Sequence, residues 1–133
     1  MSPNSRLEWS LLGLRLTVFL VMLLWTLDKL LHPAHSARVF ESFYGLAGLG
    51  PAVFLALGVA ELGLILAFVC GLWPRLTYGA VLALHAGSTL SSWRQYLAPF
   101  DHLLFFAAWP MLAACVALYV LREHDRRLVL RRG

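Results

Sequence analysis

Four apolar, charge-poor runs dominate this chain, from about Trp9 to Leu31, Pro51 to Trp73, Leu76 to Trp93 and His102 to Leu121. A bilayer core about 30 Å thick is crossed by a helix of roughly 20 such residues. The runs are continuously apolar, without the inside–outside alternation of barrel strands, so helices are expected. Composition closes the soluble alternative: 60% of the 133 residues are hydrophobic and 14% charged. A soluble domain is about 25% charged, and one this small buries only about two-thirds of its unfolded surface. The same balance excludes a disordered tail and a disulfide-stapled secreted module. The expectation is an all-α, polytopic membrane protein: one domain over 1–133, a bundle of four transmembrane helices at about 9–31, 51–73, 76–93 and 102–121.

Punctuation supports these spans. His32-Pro33 stops the first, Gly50-Pro51 opens the second, and Trp73-Pro74-Arg75 makes a short turn into the third. Asp101 is placed to cap the fourth. Pro110 falls inside it, where it removes a bond to the Phe106 carbonyl and predicts a kink. Trp9, Trp73, Trp93 and Tyr119 fall at predicted interfaces.

Arginines orient the bundle. An even number of spans puts both termini on one side, which carries Arg6, Arg15, Arg75, Arg122, Arg126, Arg127, Arg131 and Arg132. The other side carries Lys29, Arg38 and Arg94. The chain is expected N-in and C-in, with the 32–50 and 93–101 loops outside and a basic cytoplasmic tail over 122–133. That tail reads as a topology anchor on anionic lipid heads, and it accounts for the net charge of +4 without nucleic acid. Cys70 and Cys115 both read as small, membrane-buried hydrophobes.

Ionisable residues inside a span are costly and face the bundle interior or a cavity. Asp28 and Lys29 lie one turn from the outer end of the first span, and Glu61 lies near the midplane of the second. On the third span His85, Ser88 and Ser92 share one face, and Gly79, Ala83 and Gly87 form a small-residue stripe. Arg94 and His102 lie at the outer mouth. All fall in the outer half, so an outward-facing polar pocket is expected, above an inner half almost wholly apolar. The ligand-binding or proton-relay candidates are Asp28, Lys29, Glu61, His85, Ser88, Ser92, Arg94 and His102, with Lys29 and His85 as partners for Glu61. Each has a plainer alternative: Asp28 with Lys29 as an interfacial pair, His85 bonded to a backbone carbonyl, Arg94 and His102 as loop anchors. Haem is disfavoured, because His85 and His102 differ in depth by about 10 Å at the helical rise. His32 and His35 lack a third metal ligand, so no metal is expected, and no catalytic constellation is recognisable.

The order of Leu14-Arg15, Lys29, Glu61 and Gly71-Leu72 followed by Arg75 resembles the DoxX-like family of small four-helix membrane proteins. The resemblance implies a multi-pass protein of a bacterial cytoplasmic (inner) membrane and a subunit of a redox-linked, quinone-associated complex. An apolar slot with Glu61, His85 or Lys29 as hydrogen-bonding groups would suit a quinone headgroup. Two other readings stand beside it. One is an assembly or accessory protein docking on a larger membrane enzyme, and the other is a small-solute transporter working as an oligomer. The expected partners are membrane lipid and a larger complex or further copies of the chain.

Overall fold

Prolines mark where the helices begin. Pro3, Pro33, Pro51 and Pro74 each occupy the first turn of a helix, where a missing N–H costs nothing and a fixed φ helps. The computed structural model describes residues 1–45, 48 and 50–131. Its helices are α1 (Pro3–Leu31), α2 (Pro33–Tyr44), α3 (Pro51–Val69), α4 (Pro74–Ser91), α5 (Trp93–Tyr96) and α6 (Ala108–Val120). Short 3₁₀ turns cover Pro99–Asp101, Leu103–Ala107 and Arg122–His124. The fold is all-helical, with no strand among the described residues.

Three helical stretches are long and apolar enough to cross a membrane: Pro3–Leu31, Ala52–Val69 and Leu103–Val120. The expected span at Leu76–Trp93 is not one of them. Its helix, α4, spends its length on Thr77, Tyr78, His85 and Thr89, all buried among neighbouring helices. That inward polar side lowers the hydropathy while leaving Leu76, Leu84 and Leu90 exposed.

α1 packs mainly along α3, and α4 along α6. The core draws on all four: Leu11, Val18 and Met22 of α1, Ile65 and Phe68 of α3, Tyr78 and Val81 of α4, Cys115 and Leu118 of α6. Of the small-residue stripe on α4, Gly79 lies against the Tyr119 ring of α6, while Gly87 faces open space. Cys70 caps α3 and is exposed; Cys115 is buried.

Several local expectations are corrected. The segment after His32 is largely the helix α2, joined to α1 through His32 alone and stopped by Gly45 at φ 67. Asp101 caps no helix; it ends a 3₁₀ turn. Pro110 produces no mid-helix kink, because the chain is 3₁₀ up to Ala107 and Pro110 sits in the first turn of α6, where few N–H groups have partners.

The tail departs furthest from expectation. Instead of lying free on the membrane, it folds back over the bundle end where α1 begins and α3 finishes. Leu130 N–H donates to the Cys70 carbonyl at 2.8 Å and Arg131 N–H to that of Gly71 at 3.2 Å. Arg127 stacks on the Trp9 ring at 4.2 Å and reaches the Ser5 hydroxyl. Arg132 lies outside the described residues.

Gly71 makes that docking feasible. It ends α3 at φ 65, with Leu72 N–H bonded to the Ala67 carbonyl and Gly71 N–H to that of Phe68, a Schellman turn. A Cβ there would meet Val129 at 2.5 Å. Gly71→Ala is expected to lose about 1–2 kcal/mol from the backbone alone and to loosen the tail. The thermal midpoint and the rate of tryptic cleavage after Arg126 and Arg127 check it.

Candidate functional site

Leu11, Arg15, Val18, Met22 and Thr26 recur every three or four residues along α1, and all are buried. They form one stripe facing the core, and Lys29 extends it by a further three. Two cations therefore enter the bundle from one helix face, about 21 Å apart at the helical rise, with Val18 and Met22 between them.

At the Lys29 end, Nζ lies 2.8 Å from Glu61 Oε2 across the α1–α3 seam, and the Thr26 hydroxyl lies 2.9 Å from Oε1. The same hydroxyl also reaches the Met22 carbonyl. Both charged side chains are mostly enclosed, at 17% and 14% exposure. Of the two partners expected for Glu61, the structure supplies Lys29. His85 is engaged elsewhere: its Nε2 lies 3.0 Å from the Ala108 carbonyl and 3.3 Å from the Thr89 hydroxyl. The seam is close here, because Gly58 faces Leu30 and Lys29 with no side chain of its own.

The other candidates scatter. Asp28 does not pair with its neighbour Lys29. Its two oxygens face His32 Nδ1 at 3.2 Å and His35 Nδ1 at 2.5 Å, tying the α1–α2 joint. Ser88 is exposed and offers its carbonyl to Ser91 and Ser92, so the inward polar pair on α4 is His85 with Thr89 rather than with Ser88 or Ser92. Arg94 lies over the Trp93 ring and lines a polar recess of about 180 Å³ with Glu41, Ser91 and Gln95. His102 packs on Phe105. The expected single polar pocket therefore resolves into separate groups, and Glu61 and His85 do not line this recess.

The expectation of an apolar inner half is overturned at Arg15. This guanidinium is fully buried and holds Asp125, equally buried, at 2.6 Å. Tyr78 donates its hydroxyl to the other Asp125 oxygen at 2.6 Å. Arg15 Nη2 donates to the carbonyls of Arg127 at 2.6 Å and Leu128 at 3.1 Å. The sequence carried one clue to Arg15: it lies six residues beyond Trp9, inside the apolar run, and a charge so placed needs an internal partner. Asp125 gave none, sitting among arginines where a solvated charge is ordinary.

No group of three or more His, Cys, Asp or Glu residues that could hold a metal occurs among the described residues. Compared with known proteins, the chain matches no family model, no curated protein and no solved structure.

Proposed function

We propose that the chain is a four-span membrane protein with both termini on the cytoplasmic side, serving as a small subunit of a redox-linked, quinone-associated complex. Lys29 and Glu61 are its ligand-facing groups. The observation that carries this reading is the enclosed Lys29–Glu61–Thr26 cluster. An ion pair within a helix bundle is expensive, and intramembrane ionisable groups tend to mark ligand or proton sites. A quinone oxygen needs a donor and a proton-exchanging neighbour, which an ammonium, a carboxylate and a hydroxyl supply together. The redox component rests on the resemblance to DoxX-like proteins. The four-span component is supported by the start of α1 and the tail after α6 meeting at one end, where Arg127 contacts Ser5 and Trp9.

Purification in mild detergent from native membranes, with extraction and mass spectrometry, tests the proposal. Quinone is expected with the wild-type protein and at least about tenfold less with Glu61→Gln, the order seen when one anchoring polar contact is lost. Equal quinone in both preparations would sink the reading.

A second reading, an accessory protein docking on a larger membrane enzyme, is favoured by the outer face of α6. There Trp109, Leu112, Val116 and Val120 flank Ala113 and Ala117 in a shallow apolar recess. Small residues four apart admit a close-packed transmembrane helix. Under this reading Ala113→Leu with Ala117→Leu releases a co-purifying partner and leaves quinone content unchanged.

A further inference from the structure

Arg15 and Tyr78 lie at the opposite end of α1's core stripe from Lys29 and take no part in the quinone reading. A guanidinium stays charged at every accessible pH, and burying it without an anion is strongly unfavourable. Among the described residues, no acidic side chain of the helices forms a salt bridge with Arg15. The anion comes from the tail, from a residue far along the chain, and it is held much as a free carboxylate would be. Asp125 Oδ1 receives the guanidinium and Oδ2 the phenol, each at 2.6 Å.

The rest of the tail is docked under backbone strain. Leu128 and Arg131 adopt left-handed backbone at φ 53 and φ 30, conformations that side chains with a Cβ resist. Leu128 and Leu130 remain 78% and 66% exposed. Arg15 draws in the start of this stretch through the carbonyls of Arg127 and Leu128, and two backbone bonds to Cys70 and Gly71 hold its end. Even so, the tail does not saturate its receptor: Arg15 Nε is buried without a hydrogen-bond partner among the described residues.

We propose that Arg15 and Tyr78 form a carboxylate-binding site at the terminal end of the bundle, that Asp125 is its resident occupant, and that a small carboxylate from the aqueous phase takes Asp125's place and releases Arg122–Arg131. Occupancy of the site is thereby linked to exposure of the tail. Release frees Arg127 from the Trp9 ring and the Ser5 hydroxyl and Arg131 from the Gly71 carbonyl, and with them the already exposed Arg126. By reciprocity, whatever captures the freed arginines raises the affinity of Arg15 for the carboxylate.

The full chain in phosphatidylcholine nanodiscs, probed with acetate against chloride at equal ionic strength, tests the inference. Raising acetate to the order of 100 mM, enough to compete with a tethered group, is expected to speed tryptic cleavage after Arg126 and Arg127 of the wild type at least about tenfold and saturably. In Asp125→Gly the site stands vacant, so acetate raises the thermal midpoint, and the response disappears when Arg15→Met is added. Asp125→Asn serves the same comparison if the glycine variant does not fold, since it keeps the volume and weakens the ligand. Equal effects of acetate and chloride on wild-type cleavage and on the vacant-site variant overturn the proposal. So does an acetate response that persists without Arg15. Release by phosphatidylglycerol with no acetate response also overturns it, by assigning the competing anion to a lipid headgroup.

Discussion

Arg15→Met should be the most damaging single substitution in the bundle. It removes the cation facing Asp125 and leaves that carboxylate fully buried with Tyr78 as its remaining partner. It also withdraws the donors that hold the carbonyls of Arg127 and Leu128. Orphaning one member of a buried pair costs about 3–5 kcal/mol. Methionine fills much of the vacated volume, so the loss is electrostatic rather than a cavity effect. Removing Asp125 as well should recover the part due to the orphaned charge, because Arg15→Met with Asp125→Leu leaves no uncompensated charge, while the carbonyls of Arg127 and Leu128 stay without their donor. Denaturant unfolding of the two singles and the double gives the coupling energy directly. A single variant as stable as the wild type would contradict the pairing.

Lys29→Met should come second. Glu61 would keep the Thr26 hydroxyl and lose its ammonium. Because the two side chains retain 17% and 14% exposure, water offsets part of the loss, and about 2–3 kcal/mol is expected, at the lower end for a broken buried pair. Lys29→Arg should be far milder, since it keeps the charge and can still span to Glu61 across the Gly58 seam. Thermal unfolding in detergent separates the two variants, and a methionine variant no less stable than the arginine one would argue against an ion pair at this position.

The two centres were unequally legible in the sequence. Glu61 stood out because a lone carboxylate deep in an apolar run has few explanations, and Lys29, one turn from the outer end of the first span, was one of the two partners expected for it. Arg15 offered the same signal, but its position near the first span's start let it pass for a topology charge. Asp125 carried no periodic or local signal, and its partner lies 110 residues away. Pairing at that distance is set by how the chain returns at the end of α6. Helix α2 was signalled by Pro33 at its start and Gly45 at its end, but its polar character read as a loop. The polar face of α4 was off by one residue: the buried partner of His85 is Thr89, on the stripe with Tyr78 and Val81, rather than Ser88.

The two cations of α1 also bear on motion. A helix gripped at a single level can slide along its axis or roll against its neighbours at modest cost. Here α1 is pinned at two levels about 21 Å apart at the helical rise, to α3 through Lys29 and to α4 and the tail through Arg15. A piston stroke of one turn, about 5.4 Å, would break both attachments at once, and a roll would carry both charges out of the core together. The bundle's longest helix is thus its stator, and movement belongs to the pieces fastened at its two ends, the α2 joint and the returning tail.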